Sequence, residues 1–112
     1  MAKYEAQLRG DFNEILTDIN ETVMNNSMSS SLEDSSFFQA GNTRCAVRVY
    51  ERFSYSGGNR VSMNVTLLEC EGRIFVTVIT AGGSQGTFFK INTFGESAFL
   101  DTVTDAIEKY RV

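Results

Sequence analysis

TRCAVRVYERFSYSGGNRVSMNVTLLECEGRIFVTVITA, residues 43–81, decides the fold class of this chain. Apolar and polar side chains alternate through most of it, with breaks at Ser56-Gly57-Gly58-Asn59 and at Glu71-Gly72. Successive side chains of a strand point to opposite faces, so the stretch reads as three strands joined by tight turns. In residues 43–55, Cys45, Val47, Val49 and Phe53 share one face, and Arg44, Arg48, Tyr50 and Arg52 share the other. Val61, Met63, Val65 and Leu67 fall together in residues 60–70, as do Ile74, Val76 and Val78 in residues 73–81.

Matching the apolar rows across the turns sets the expected registers. A two-residue Glu71-Gly72 turn pairs Leu67 with Val76 and Val65 with Val78. A two-residue Gly57-Gly58 loop would bring Cys45 opposite Cys70 and mix apolar with polar rows. A three-residue loop with Gly58 left-handed sets Val49 opposite Val65 and Val47 opposite Leu67, and that is the register expected. It puts Cys45 in the core and Cys70 on the other face, so no disulfide is expected.

Working outward, residues 27–36 are serine-rich and weakly specify a register, but Phe37-Phe38 and the turn pair Gly41-Asn42 follow. Those signals predict another strand leading into a hairpin, at the edge of the sheet. Residues 3–9 alternate Tyr4, Ala6 and Leu8 with polar neighbours and predict a half-buried strand. Asp11 followed by Glu14 is a helix-start arrangement, and Phe12, Ile15, Leu16, Ile19 and Val23 continue at helical spacing to about residue 25. A second helix is predicted over 96–110, with Phe99, Val103, Ile107 and Tyr110 on its buried stripe.

The order β-α-β-β-β-β-α predicts an α+β, two-layer sandwich: an antiparallel sheet with both helices on one face. That order is similar to one half of the TATA-binding-protein-like fold, in topology only, and topology does not carry function. The 112 residues make one domain, 1–112, large enough for its own core. No apolar run approaches the roughly 18 residues that would span a membrane, and MAKYEAQLRG has no signal-peptide core. A cytoplasmic location is therefore expected.

Composition excludes several chemistries. The chain has no His, which removes histidine general bases, triads and His metal sites, and two cysteines cannot form a four-cysteine zinc site. A net charge of −4 and a pI near 4.7 argue against nonspecific nucleic-acid binding, which needs a basic footprint. No cofactor and no metal site are expected.

The runs RCAVRVYER, GGNRVSMNVTL and GGSQGTFFKINTFGE resemble a family of small uncharacterised bacterial proteins of Gram-positive type, catalogued as a domain of unknown function. The resemblance covers nearly the whole chain. It implies a small cytosolic protein and supplies no catalytic motif.

Three constellations remain as candidate sites. Gly82-Gly83-Ser84-Gln85-Gly86 can present backbone N–H groups to an anion, but no P-loop Lys-Ser/Thr follows, and a crossover connection is the leading reading with a ligand lid second. On the registers above, Phe37, Ala46, Leu68 and Phe75 form a row across the sheet face opposite the helices, with Tyr50 and Ile79 beside it. Such an exposed apolar face predicts association, with a second copy of the chain as the expected partner. Arg44, Arg48 and Arg52 lie on the same predicted face around Tyr50 and offer an alternative function, binding a small anionic ligand. The carboxylates Glu14, Asp18, Glu21, Asp101 and Asp105 are expected in solvent, where nothing raises a pKa for acid–base work. A non-enzymatic protein is expected.

Overall fold

The computed structural model describes residues 1–53, 60–82 and 89–112, and only the backbone of 89–95. Its elements are β1 (Ala2–Leu8), α1 (Phe12–Asn26), β2 (Ser31–Ala40), β3 (Thr43–Phe53), β4 (Arg60–Cys70), β5 (Arg73–Gly82) and α2 (Phe89–Ile107), with a 3-10 turn at Glu108–Tyr110. The five strands form one antiparallel sheet in the order β1-β5-β4-β3-β2, and the element order β-α-β-β-β-β-α read from the sequence is the one observed.

Local chemistry explains where the elements begin and turn. Asp11 caps α1, its carboxylate accepting the Glu14 N–H at 2.9 Å. Glu71 and Gly72 both take positive φ, 52° and 76°, which matches a type I′ hairpin and produces the predicted pairs Leu67–Val76 and Val65–Val78. Gly41, at φ 56°, starts the other two-residue turn and sets Phe37 opposite Ala46, also as predicted. Gly10 is required between β1 and α1: its φ is +146°, and a Cβ there would sit 3.1 Å from the Tyr110 ring. Helix α2 begins at Phe89 rather than near Glu96, because the Phe- and Gly-containing run 89–95 joins the helix instead of the connection before it.

The core lies between the helices and one sheet face. Phe12, Ile15, Ile19 and Val23 of α1 and Phe99, Val103 and Ile107 of α2 are fully buried against Val61, Met63, Val65 and Leu67 of β4 and Ile74, Val76 and Val78 of β5. Each such side chain contributes about 1.5–3 kcal/mol by leaving water. The C-terminus closes the structure: Arg9 donates its N–H to the Tyr110 carbonyl (2.7 Å), Val112 donates to Gln7 (3.0 Å), and Arg111 bridges Leu8.

The β3–β4 register differs from the one expected. Val49 pairs with Asn64 and Val47 with Thr66, while Ala46 pairs with Leu67, Tyr50 with Met63 and Cys45 with Leu68. Thus β3 turns Ala46 and Tyr50 toward the helices, both buried, and turns Cys45, Val47, Val49 and Phe53 outward. The residues of the connecting loop, including Gly57 and Gly58, lie outside those described. The physical reason lies at the border of the helix layer. There Tyr50 fills the core and satisfies its hydroxyl by donating to Asn20 Oδ1 (2.9 Å), and the guanidinium groups of Arg44 and Arg52 stack on the helix rings Phe12 and Phe99. Alternation alone ranks four aliphatic, sulfur and aromatic side chains above Ala-Arg-Tyr-Arg; burying one tyrosine with a partner reverses that ranking.

Candidate functional site

Both helices pack on one face, so the outer face of the sheet is assembled from side chains that no described helix covers. Its first row runs Phe38, Cys45, Leu68, Phe75 and Gln7 from β2 to β1. The next is Ser36, Val47, Thr66, Thr77 and Glu5, and the third Asp34, Val49, Asn64, Ile79 and Lys3. Phe38 is 67% exposed, Phe53 49% and Phe75 37%; Cys45, Val47, Val49, Leu68 and Ile79 are half-buried by their neighbours in the sheet. The apolar band is thus one full row with Val47, Val49 and Ile79 adjoining it. Thr, Ser and Asn side chains intervene, and charges stand at both ends: Glu5 and Lys3 on β1, where Thr77 donates to Glu5 at 3.3 Å, and Asp34 on β2 with the Glu51–Arg60 ion pair (2.8 Å) beside Phe53.

The expected row Phe37–Ala46–Leu68–Phe75 therefore splits between two faces. Leu68, Phe75 and Ile79 are on the outer face as predicted, whereas Ala46 and Tyr50 are buried on the helix side and Phe37 points to that side from the sheet edge. The substitution follows from the register: with β3 inverted, Cys45 and Phe38 take the places assigned to Ala46 and Phe37. Missed in the sequence were Phe38, Cys45, Val47, Val49 and Phe53. The signal that could have found them is Tyr50 with Asn20, a buried hydroxyl paired to a helix amide, which marks β3's even-numbered residues as inward.

The arginine row moves with Tyr50, so the expectation of an outer arginine face is corrected. Arg44 directs Nε (2.8 Å) and Nη2 (2.6 Å) at Glu69 Oε1 and stacks 4.6 Å from the centre of the Phe12 ring. Arg52 donates Nη1 to Asn26 Oδ1 (2.9 Å) and lies 4.6 Å over Phe99; Thr102 donates to the same Asn26 oxygen at 3.3 Å. Arg48 sits beside Tyr50, whose phenol burial pushes above its ordinary range while hydrogen bonding to Arg48 opposes the shift. Arg44 and Arg52 stitch helices to sheet through cation–π contacts and hydrogen bonds.

Of the glycine-rich stretch, Gly82 ends β5 and donates its N–H to Glu96 Oε1 at 2.7 Å; Gly83, Ser84, Gln85 and Gly86 lie outside the described residues. Glu96 is buried, ion-pairs with the Met1 amine, and receives the Thr80 hydroxyl on its carbonyl at 3.1 Å. Glu14, Glu21, Asp101 and Asp105 are exposed. Asp18 is half-buried, accepts from the Tyr110 hydroxyl and sits 3.3 Å from Lys109 Nζ. Those contacts hold the Asp18 carboxyl below its usual range, Tyr110 first, and the same bond pushes the Tyr110 phenol up to about 12. The pair keeps one fixed charge state at neutral pH. Cys45 and Cys70 are free thiols on the outer face, Cys70 accepting a 3.7 Å contact from the Thr43 hydroxyl. Among the described residues no helix is long and apolar enough to cross a membrane.

Residues 1–111 match a family described as a family of unknown function, DUF6054, and the chain belongs to it. No curated protein and no solved structure matches the chain.

Proposed function

We propose that this member of DUF6054 is a non-enzymatic, cytosolic association domain that forms a homodimer through the outer face of its sheet. The observation that carries the reading is the row Phe38–Cys45–Leu68–Phe75, apolar across four adjacent strands and, among the described residues, left without a helix above it. Apolar patches of this kind on a single chain commonly mark interfaces, and two sheets stack well face to face. Stacking about a two-fold axis places the same surface on both partners, which makes the contact self-complementary. Two free thiols fit a reducing compartment.

Light scattering on the purified chain beside Phe75→Glu tests this. Phe75 is 37% exposed, so a charge there leaves the core intact and disturbs only the face. A wild-type assembly whose mass the substitution lowers supports the reading. A wild-type monomer at all accessible concentrations, or an assembly whose mass the substitution leaves unchanged, overturns it.

The anion-binding alternative draws less support from the geometry. The Arg44 fork already holds Glu69, and Arg52 is engaged by Asn26 and Phe99.

A further inference from the structure

The two edges of the sheet are treated differently. The β1 edge is capped by the chain itself at its C-terminal end, where Val112 donates to the Gln7 carbonyl and Arg111 bridges Leu8. The β2 edge carries no strand among the described residues. An unpaired edge presents alternate N–H and C=O groups outward along its length and is a template for another strand. β2 is also bare on both faces: every residue from Leu32 to Ala40 is exposed, including Phe37 (55%) and Phe38 (67%) on opposite sides.

We propose that β2 pairs antiparallel with β2 of a second copy, across a two-fold axis at Phe37, so that two five-stranded sheets become one of ten. The bulge between Leu32 and Asp34 and the turn after Ala40 bound a regular segment, Asp34–Ala40, whose midpoint is Phe37. Self-pairing about that midpoint uses the whole segment. It sets Asp34 opposite Ala40, Ser35 opposite Gln39, Ser36 opposite Phe38, and Phe37 opposite its own copy. No like charges meet in this register, because Asp34 lies at opposite ends in the two chains and Glu33 falls beyond the segment, where it pairs with Arg60 at 3.7 Å.

The same register preserves faces. Phe37, whose ring meets Phe12 edge-on at 6.4 Å, covers its symmetry mate on the helix side. On the outer side Phe38 of each copy becomes a diagonal neighbour of the other, within reach of aromatic side chains. The row Phe38–Cys45–Leu68–Phe75 then continues from one sheet into the next. The contact is separate from the face-to-face dimer, since it uses the edge backbone and leaves Phe75 free.

Residue-resolved hydrogen exchange on the full chain, at rising concentration, tests the pairing. Wild type, Phe75→Glu, Phe37→Lys and Phe38→Lys are compared, each with its mass from light scattering. The Ser35 N–H is already held by Asp34 Oδ1 at 2.8 Å, so the expected result is that the outward amides of Phe37 and Gln39 slow by roughly tenfold or more as concentration rises, in wild type and in Phe75→Glu alike. Phe37→Lys sets two ammonium groups on the axis and returns those amides to fast exchange. Where that variant disturbs the Phe12 contact and unfolds, Phe38→Lys serves, as it places like charges diagonally across the edge. Fast alternate amides at every concentration overturn the proposal. So does protection that survives the folded lysine variants, and so does protection lost in Phe75→Glu, which would assign it to the sheet face.

Discussion

In β5, Ile74, Val76 and Val78 lie beneath the helices and are no more than 3% exposed, whereas in β2 every residue from Leu32 to Ala40 is exposed. The strands belong to one sheet and are only three positions apart in it. Two helices do not span five strands, so the helix layer ends over β3. Burial on the β1-β5-β4 side is decided by hydrophobicity. At β3 it is decided by which side chain has a partner at the helix border. Beyond, at β2, neither face is buried, and Phe37 and Phe38 stay exposed.

Substitutions can sharpen or break this contrast. The largest effect is expected under the helices: Phe99→Ala should cost about 3–5 kcal/mol in urea unfolding, because Phe99 is fully buried, while Phe38→Ala should stay within about 0.5 kcal/mol for the monomer. Equal losses would mean that the two regions do not differ as described. Gly10→Ala should cost about 1–3 kcal/mol, from the positive φ and the Tyr110 ring that its Cβ would meet. A result near zero would remove Gly10 from the account of how β1 passes into α1.

Ala46 probes the border itself. Ala46→Leu should lose about 1–3 kcal/mol by overpacking if β3 turns its even-numbered residues inward. A neutral or stabilising result would restore the opposite register. A smaller loss of about 1 kcal/mol is expected for Tyr50→Phe, which takes the hydroxyl from Asn20 without emptying the core.

The pH profile tests the Tyr110–Asp18 contact. Asp18 titrates low, so its stabilising share is present above the ordinary carboxylate value near 4 and is lost as pH falls through the lowered one. Tyr110 titrates high, so its share is whole below about 10 and is lost as pH rises through about 12. The stability gap between wild type and Tyr110→Phe should therefore be widest between about pH 4 and 10 and close on both sides. A gap independent of pH would show that the hydroxyl acts without the carboxylate.

Legibility in the sequence followed the same border. The helix start at Asp11, the turns at Gly41-Asn42 and Glu71-Gly72, the edge position of β2 and the element order could all be read, because caps, turn residues and well-covered strands are local or strongly periodic. The inward face of β3 could not, since Arg44 and Arg52 owe their place to Phe12 and Phe99 on distant helices. Half of the candidate surface followed from β4 and β5, and the half from β2 and β3 was assigned to the wrong residues by one position. The start of α2 was also missed, because glycine and adjacent aromatics within 89–95 read as a connection.

The proposed homodimer would cover the outer face of the sheet, and the thiol of Cys45 in the middle of that face reports on it directly. The measurement is its alkylation rate, followed by mass spectrometry at increasing protein concentration in wild type and Phe75→Glu. Alkylation should slow as wild-type chains associate and stay fast in Phe75→Glu. A rate that does not change with concentration, or that slows equally in the variant, would contradict the proposal.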